Sequence, residues 1–551
     1  MSATSDVQRA AATAAGLVLP TLAAGQFLMT LDSSVMNVSM ATVASDLGTT
    51  ITGIQTAITL YTLVMATLMI TGGKIGSNIG RRRAFVIGCL IYGAGSLTTG
   101  LAPNLAVLIF GWSFLEGVGA ALIMPAIVAL VAGNFGADQR PRAYGLVAAA
   151  GAIAVALGPL IGGAATTYFS WRYVFIGEVV IVVGILALSR RIAEAPVEVR
   201  SRLDLVGTAL SVLGLGMAVF GILRSSEWGW VQPKAGAPSP LGISLTFWLV
   251  IVGLLVVWLF FRWERRRIRG GRDPLVDPDL LGNHRLDGGL VMFGFQFLLQ
   301  AGVFFVVPLF LSVVLGLSAI DTGLRILPLS LSLLAAALGV PRLWPRVSPR
   351  RVVRIGVLLM LAGILVLMSG VDLDASAGVV LVPMLLIGLG IGALASQLGA
   401  VTVSAVPDEQ TGEVGGLQNT ATNLGASVGT ALAGSVLIGI LAASFLAGIQ
   451  QNPAVPPEVT RQAQVQLEAG APFISEAQLR DQLEQAGVSP AVSEELVTQN
   501  HTSQIRALDA SLAILALLAV VALFCTGPIP DRQPADERAA AAVPEPAGRT
   551  R

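Results

Sequence analysis

Long apolar runs separated by short polar segments fill most of this chain. A helix that crosses the hydrocarbon core of a bilayer needs about 20 apolar residues. By that criterion the pattern predicts fourteen membrane-spanning helices, and therefore an all-α polytopic membrane protein. They lie near residues 14–38, 52–72, 84–102, 104–133, 143–167, 174–189, 204–223, 242–261, 287–313, 322–341, 352–370, 376–404, 414–446 and 507–527.

The polar segments between the runs differ in charge. Arginines cluster at 81–83, 190–191, 262–285 and 342–354, in segments that all fall on one side of the membrane when fourteen helices are threaded through it. Cytoplasmic segments of membrane proteins are enriched in Lys and Arg. We therefore expect a multi-pass protein of the cytoplasmic membrane with both termini inside the cell.

The sequence also repeats itself. Residues 73–88 (GKIGSNIGRRRAFVIG) align without gaps on residues 341–356 (PRLWPRVSPRRVVRIG), on the same side of the membrane. A similar offset relates two stripes of small residues: Ala154, Gly158 and Gly162 in the first copy, and Gly425, Gly429 and Ala433 in the second. A parallel repeat of this kind indicates two six-helix halves, with two further helices inserted between them.

The repeat sets the expected division of the chain. The units are residues 1–200 (first six-helix half), 201–270 (two inserted helices and a linker), 271–530 (second half) and 531–551 (a disordered cytoplasmic tail rich in Ala and Pro). The second half includes a polar extracellular loop at 448–506. Within that loop, Ser475-Glu-Ala-Gln478 indicates a capping box that opens a short helix.

Composition agrees with a membrane protein and excludes several other classes. The chain of 551 residues is 54% hydrophobic and 12% charged, whereas soluble proteins are about 25% charged. A net charge of +1 argues against a nucleic-acid partner. Both cysteines, Cys89 and Cys525, fall in apolar runs, so no disulfide framework is indicated.

No sequence motif indicates a cofactor or an enzyme. Neither a GxxxxGK[ST] loop nor a GxGxxG sequence in a βαβ setting is present. His284 and His501 are too few and too far apart to indicate a metal site. An ATP-driven pump or a membrane enzyme is therefore not expected, and we expect a monomer that works without a cofactor.

Three acidic residues are the main candidates for chemistry. Asp32 lies near the outer end of the first predicted helix, Glu116 near the middle of the fourth and Glu178 about two turns into the sixth. An intramembrane carboxylate costs about 2.5–3.5 kcal/mol on insertion scales, so such residues are functional candidates by default. Burial favours the protonated form, which would let Glu116 exchange protons. The alternatives are a hydrogen-bonding anchor for Asp32, a packing residue for Glu116 and a water-accessible surface position for Glu178.

A second group of residues is predicted to line a substrate cavity. Amides and aromatic side chains can together bind flat amphipathic ligands, and aromatic faces also accept cations. The candidates are Gln26, Asn37, Tyr61, Trp112, Gln296, Gln300, Phe304, Gln397, Gln418, Asn419 and Asn423. Packing amides and lipid-facing phenylalanines are the alternative interpretation.

Three segments resemble signatures of the major facilitator superfamily. Residues 151–163 (GAIAVALGPLIGG) resemble the G(x6)GPxxGG signature in the fifth helix of its antiporters, and 31–38 (LDSSVMNV) the LDxTVVNVAL signature of its fourteen-helix drug:proton antiporters (the QacA/EmrB type). Residues 73–83 resemble its GxLaDrxGRrr loop, with Ser77 at the acidic position. Glu116 stands where the family's fourth-helix pattern has Gln, and Glu178 where its sixth-helix pattern has Asn.

The resemblance implies a fold and a function. The fold is the major facilitator fold with its two halves, and the function is export of hydrophobic or amphipathic compounds, cations included, in exchange for protons. Alternative functions are a dedicated exporter of one metabolite, antibiotic or lipid, and a proton-coupled importer. The resemblance also implies an antiporter motif at the contact between the halves (Gly151, Gly158, Pro159, Gly162 and Gly163) and a cytoplasmic gate loop (Gly73, Gly76, Ser77, Gly80, Arg81 and Arg82).

Independently of the resemblance, the small residues predict close packing. Ala154, Gly158 and Gly162 recur every four residues, so they form one stripe on which a neighbouring helix can approach to backbone distance. Pro159 removes a backbone donor within the same helix, which predicts a bend there.

Overall fold

The computed structural model describes residues 2–135, 140–193, 204–234, 236–344, 346–372, 376–406, 411–452, 455–458, 460–461 and 473–532. Within these ranges the chain is helical and contains no strand. The all-α prediction is therefore confirmed.

The first half consists of six helices. They are α1 (Ser2–Asp46), α2 (Ile51–Ile79), α3 (Arg81–Gly100), α4, α5 (Arg140–Tyr168) and α6 (Arg172–Ser189). Helix α4 is a continuous run of Leu105–Leu108, the π-helical segment Ile109–Glu116 and Gly117–Asn134. Two further helices follow, α7 (Leu205–Trp228) and α8 (Leu245–Arg269).

The second half repeats the long helices and adds one short one. It contains α9 (His284–Leu309, continued by the π-helical segment Phe310–Val314), α10 (Ala319–Leu343), α11 (Pro349–Gly370), α12 (Leu381–Val403), α13 (Thr411–Gln451), α14 (Glu476–Gln485) and α15 (Pro490–Phe524). Short 3₁₀ turns lie at Pro240–Gly242, Pro278–Gly282 and Ala377–Val380. Each half buries its own apolar core.

Twelve helices in the described ranges are long and apolar enough to cross a membrane. Helices α1 and α3 are not among them. Helix α3 opens with three arginines, Arg81–Arg83, which lower its apolar content. Fourteen long helices are nevertheless present where fourteen were predicted, and the number that spans the membrane stays a prediction.

Hydrogen bonds join several of the arginine-rich connecting segments to one another at one end of the bundle. Lys74 at the end of α2 donates to the Pro274 carbonyl over 2.9 Å. Asn134 at the end of α4 donates to the Ala193 carbonyl after α6 over 3.4 Å. Arg350 at the start of α11 donates to the Ile529 carbonyl over 2.7 Å. We call this the basic end; Asp46 and α14 lie at the opposite end.

The two halves meet through two symmetry-related helix pairs. Helix α2 packs on α13, and α5 packs on α10. In the second pair, Ser330 donates its hydroxyl to the Val155 carbonyl over 2.8 Å. Helices α7 and α8 pack on each other, and α7 also packs against α2 and α13, where the hydroxyls of Ser225 and Ser435 lie 2.7 Å apart. The inserted pair therefore covers one side of the junction between the halves.

The small-residue stripe does not form the contact between the halves, so that expectation is wrong. A Cβ at Gly158 would lie 2.2 Å from Ser34 Oγ, and one at Gly162 would lie 3.0 Å from Val35 Cα, both on α1. Gly151 on α5 faces Gln26, which also lies on α1. Gly163 is also buried. The stripe therefore packs α5 on α1 inside the first half, while α5 reaches α10 through other residues.

The second copy of the stripe also packs against a helix of its own half. A Cβ at Gly425 would lie 2.2 Å from the Gly294 carbonyl oxygen, and one at Gly429 would lie 2.1 Å from that of Leu298. Helix α13 is thus held to backbone distance from α9, as α5 is from α1. The small residues belong to a contact that each half makes within itself. Helix α5 is continuous across Pro159; the structure does not describe the side chain of Pro159.

The predicted gate loop is nearly all helix. Helix α2 continues through Gly73 and Gly76 to Ile79, and Gly80 alone separates it from α3 with a φ of +105°, which favours glycine. The Ser77 hydroxyl donates to the Lys74 carbonyl over 2.9 Å, within its own helix. Arg81 donates to the Ala129 carbonyl of α4 over 3.3 Å, and Arg82 follows it in the first turn of α3. The segment therefore joins the basic ends of α2, α3 and α4.

The loop predicted at 448–506 is shorter than expected. Helix α13 continues to Gln451, and polar residues 490–506 form the first turns of α15 rather than loop. The predicted capping box is confirmed: the Ser475 hydroxyl accepts from the Gln478 backbone N–H, and the Gln478 side chain accepts from Ser475 N. Of the predicted tail, residues 533–551 lie outside the described residues.

Candidate functional site

Three buried carboxyl groups from different helices converge inside the first half. Asp32 on α1, Glu116 on α4 and Glu178 on α6 each place one carboxylate oxygen within 4.8 Å of the other two. Their side chains are 0%, 0% and 1% exposed. We call these three residues the acid cluster. Glu178 is therefore not at a water-accessible surface, which was one of the two interpretations of its position.

Local backbone features place Glu116 in the cluster. It ends the π-helical segment of α4, which also buries Trp112 and Ser113. Wider π-helical turns are frequent at functional sites. A Cβ at Gly95 would lie 2.6 Å from Glu116 Cγ, and one at Gly111 would lie 2.8 Å from Thr99 N. Glycine at both positions therefore lets α3 and α4 approach closely enough to enclose the Glu116 side chain.

Asp32 accepts the shortest hydrogen bond made to the acid cluster. The Trp112 indole N–H donates to Asp32 Oδ1 over 2.7 Å. Tyr61 on α2 stacks on the Trp112 ring, with ring centroids 5.0 Å apart and planes 2° from parallel. Both aromatic residues were predicted to line the substrate cavity, and both are buried beside the acid cluster. An indole N–H can donate but never accept, so this bond favours an ionised Asp32.

The two glutamates are bonded to hydroxyl groups. Ser96 Oγ lies 3.1 Å and Tyr92 Oη 3.3 Å from Glu178 Oε2. Thr99 Oγ1 lies 3.0 Å from Glu116 Oε1 and also 2.9 Å from the Gly95 carbonyl oxygen. One hydroxyl hydrogen cannot serve both acceptors, but a protonated Glu116 can donate to Thr99 while Thr99 donates to Gly95. The hydroxyl groups can thus stabilise either protonation state of the glutamates.

These hydroxyl partners on α3 were missed in the sequence. Tyr92, Ser96 and Thr99 stand at i, i+4 and i+7, so they form one polar stripe along α3. The spacing alone could have identified them. In the described structure they are almost fully buried, and the stripe faces the acid cluster.

Three polar atoms in the acid cluster and one beside it have no hydrogen-bond partner among the described residues. They are Asp32 Oδ2, Glu116 Oε2, Glu178 Oε1 and the Tyr61 hydroxyl. Each carboxyl group therefore keeps one oxygen available for a proton or a ligand. No other group of His, Cys, Asp and Glu in the described ranges lies close enough to surround a metal ion, and carboxylate oxygens suit hard cations.

Charge repulsion limits how the cluster can ionise. No Lys or Arg forms an ion pair with these three residues within the described part of the chain. Burying an unpaired charge is costly, and like charges at this separation disfavour each other's ionisation. Ionisation of one group therefore makes ionisation of the other two more costly.

The other predicted cavity residues lie along α1, α9, α12 and α13. Gln26 and Asn37 are half-buried on α1, and Asn419 and Asn423 are half-buried on α13. Most amide groups bond within their own helix: Asn37 to the Ser33 carbonyl, Asn419 to that of Gly415 and Asn423 to that of Asn419. Gln418 donates to Thr402, and Gln397 to Ser396.

The amide side chains with the fewest hydrogen bonds among the predicted cavity residues lie on helix α9. The side-chain oxygens of Gln296 and Gln300 are buried with no hydrogen-bond partner among the described residues, and Phe304 follows one turn later. Unlike the acid cluster, these second-half residues are not brought into one group by the contacts described. They form polar and aromatic positions along separate helices.

Comparisons with known proteins agree with this architecture. The sequence profile of the Major Facilitator Superfamily matches residues 22–231 and 205–430. The fold is also similar to that of the human organic anion transporter MFSD10 (TM-score 0.53, 14% identity, 93% of this chain and 99% of that one). A D-xylose–proton symporter is similar as well (TM-score 0.54, 14% identity, 76% and 90%).

Several curated relatives are similar over most of their length. The puromycin resistance protein of Streptomyces alboniger is 31% identical over 451 residues, covering 81% of this chain and 86% of the relative. The cephamycin export protein of Amycolatopsis lactamdurans is 30% identical, covering 74% and 82%. The multidrug efflux pump LfrA of Mycolicibacterium smegmatis is 27% identical, covering 94% and 96%.

Two related helical halves with twelve candidate membrane spans, together with the family match and the export proteins among the relatives, point to a multi-pass membrane transporter rather than an enzyme. The chain belongs to the Major Facilitator Superfamily. The resemblance found in the sequence is thereby confirmed, and the similar proteins include drug-resistance and export proteins.

Proposed function

We propose that this protein exports hydrophobic or amphipathic small molecules, cations among them, in exchange for protons that enter through the acid cluster. The observation that carries the proposal is the approach of three fully buried carboxyl groups to within 4.8 Å, with no cationic partner among the described residues. A site with that much buried acid requires protons or another cation to be stable. The proton gradient supplies the energy, and no cofactor takes part.

The hydrogen bonds suggest how protons distribute in the cluster. Asp32, which accepts from an indole that can only donate, carries the negative charge. Glu116 and Glu178 lie beside hydroxyls that can reverse their bonds, so these two hold the protons. In this arrangement the dry cluster bears a single negative charge, which is far less costly than three.

The transport cycle follows from exposure of the cluster to each side in turn. When the halves open outward, water reaches the site and protons enter by way of Asp32, which lies nearer the outer end. When the halves open inward, Glu116 releases its proton to the lower-acidity side, and the charge left behind attracts a cationic substrate. Rocking of the two halves about the α2–α13 and α5–α10 contacts alternates the access.

The substrate class is proposed from the polar and aromatic positions and from the relatives. Half-buried amides on α1 and α13, together with Gln296, Gln300 and Phe304 on α9, suit a flat amphipathic ligand. The relatives named above are a resistance protein for one antibiotic, an exporter of another, and a multidrug pump. We further propose that the protein acts as a monomer in the cytoplasmic membrane, with its basic end in the cytoplasm.

A dedicated exporter of one antibiotic is the second candidate. It is favoured by the relatives that are named for puromycin and cephamycin. Survival of cells that express the protein, challenged with unrelated compounds, separates the two functions. Protection against several chemical classes supports a multidrug exporter, and protection against one class supports a dedicated exporter.

Inverted membrane vesicles test direction and coupling together. An imposed gradient, acidic inside, is expected to drive accumulation of a cationic dye, and a protonophore should abolish it. The same assay with a metal chelator separates protons from a metal ion as the coupling species. Accumulation that persists after the gradient is collapsed, or that requires added metal, contradicts the proposal.

A further inference from the structure

Helix α8 has an outer face that little else in the protein covers. Only 17% of its most apolar stretch is buried inside the protein, the smallest buried share among the twelve candidate spans. Ile251, Leu255 and Trp258 on this face are 47%, 53% and 52% exposed. Arg262 and Arg265 continue the same face, since all five residues follow one another at intervals of three or four. The face thus changes from apolar to aromatic to basic toward the basic end.

A cavity lies at the basic part of this face. It has a volume of about 370 Å³ and opens between α8 and the Pro278–Gly282 turn. Trp258, Arg262 and Arg265 form the α8 side, and Leu281 contributes to the other. An apolar floor with two arginines at its edge suits a ligand that is part hydrocarbon and part anion.

The charges of the two arginines are not balanced by an acidic partner in the described part of the protein. Neither Arg262 nor Arg265 has an ion pair within the described ranges, and the Arg262 guanidinium carbon lies 5.2 Å from the Trp258 ring centroid. Arg267 on the same helix differs, because it bonds to Asp204 and to the Asp273 carbonyl. Asp279 is the one acidic group among the lining residues, so the cavity carries more positive than negative charge.

We propose that this groove binds an anionic phospholipid from the membrane leaflet at the basic end. The phosphate lies at Arg262 and Arg265, the glycerol backbone beside Trp258, and one acyl chain along Leu255 and Ile251. The order of groups along the helix matches the order along a phospholipid, from headgroup to chain. Basic pockets at this depth recognise anionic headgroups, and indole rings prefer the headgroup region. The proposal does not depend on what the protein transports.

Native mass spectrometry of the purified protein provides the test. With phosphatidylglycerol added to the detergent, a defined lipid adduct is expected on the unaltered protein, and far less with phosphatidylcholine. The double variant Arg262→Gln/Arg265→Gln should bind phosphatidylglycerol at least tenfold more weakly, since each arginine near an anionic headgroup contributes several-fold. Trp258→Ala should also weaken binding without changing the charge.

The matched control is Arg190→Gln/Arg191→Gln. These two arginines are exposed at the basic end of α6, next to an exposed apolar face that includes Val180 and Val183. The control variant removes the same charge as Arg262→Gln/Arg265→Gln. Its lipid binding should equal that of the unaltered protein. Equal losses in both double variants, or full competition by free glycerol phosphate, would overturn the proposal because either would leave charge alone as the cause. Equal binding of the two lipids would also overturn it, because the groove would then not recognise an anionic headgroup.

Discussion

The indole N–H of Trp112 lies 2.7 Å from Asp32 Oδ1 and joins α4 to α1 across 80 residues of sequence. Neither residue is accessible to solvent in the described state, at 1% and 0% exposure. The bond fixes the orientation of the carboxylate that is expected to remain ionised, and the stacked Tyr61 ring holds the indole in place. It therefore connects the packing of the first half with the charge on its acid cluster.

Replacing Trp112 by Phe tests that connection. The variant keeps an aromatic ring against Tyr61 but removes the donor, which favours protonated Asp32. A hydrogen bond to a charged group contributes about 1.5–3 kcal/mol, so the pH midpoint of transport should rise by about one unit or more. Transport rates in vesicles measured from pH 5 to pH 9 would show it.

Trp171→Phe is the control for this prediction. It removes an indole donor from another aspartate, Asp46, at the opposite end of the bundle. Its pH profile should match that of the unaltered protein. An unshifted profile for Trp112→Phe, or the same shift for both variants, would show that the Trp112 bond does not set the charge on Asp32.

The contact between Gly158 and Ser34 yields a second prediction. Gly158→Ala places a Cβ 2.2 Å from Ser34 Oγ and 2.4 Å from Ser34 Cβ, so α1 and α5 must separate and transport should fall to background. Adding Ser34→Gly removes both clashing atoms and should restore at least half of the activity. Gly184→Ala, which meets nothing within 4 Å, should be neutral. Failure of the rescue, with both proteins correctly inserted, would contradict the assigned contact.

The opposite end of the bundle offers a stability test. Hydrogen bonding to the Arg172 guanidinium holds the pKa of Asp46 below its usual value of 3.8, and the Trp171 indole adds a second donor. Because the pKa is lowered in the folded state, the pair stabilises the protein above about pH 4, and that contribution disappears as the pH falls through the lowered value. Arg172→Gln should therefore lower the Tm near pH 7.

The same variant should have a smaller effect in acid. Both side chains are partly exposed, so the difference in Tm at pH 7 is expected to be a few degrees at most. As the pH falls below about 4, the difference in Tm between the unaltered protein and Arg172→Gln should shrink in detergent, leaving the part that comes from the bond between Arg172 and the Ala102 carbonyl. A difference that stays constant between pH 7 and pH 3 would argue against an ionic role for Asp46.

Cysteine labelling tests the orientation. Arg346 at the basic end and Gln485 at the end of α14 are both exposed, so cysteines there should react with a membrane-impermeant maleimide. In intact cells only Gln485→Cys should be labelled, and in inverted vesicles only Arg346→Cys, with Cys89 and Cys525 replaced beforehand. Labelling of both positions from one side would refute the proposed orientation and the odd number of crossings, by α11, α12 and α13, between them.

Much of the fold could be predicted because its determinants are local. Apolar length indicated the helices, and the arginines at 81–83 and 342–354 indicated shared ends. The spacing of Ser475 and Gln478 predicted a cap that the structure contains. These features depend on residues within one or two turns of each other, so periodicity and composition suffice to find them.

The site was only partly predictable, because its geometry depends on packing between distant segments. Asp32, Glu116 and Glu178 could each be proposed from the cost of an intramembrane acid, but no periodicity indicates that they meet. The π-helical turn that places Glu116 breaks the 3.6-residue period used to assign faces. Likewise the stripe around Gly158 predicted a close contact but not its partner, which is α1.

The most direct test of the central claim is proton release from purified protein in weakly buffered detergent solution when a cationic substrate is added. The unaltered protein should acidify the solution by about one proton per bound substrate, and Glu227→Gln, which alters an exposed acid on α7, should do the same. Glu116→Gln should still fold but release no proton. Release by Glu116→Gln equal to that of the unaltered protein would contradict the central assignment, which is that Glu116 in the acid cluster releases the exchanged proton.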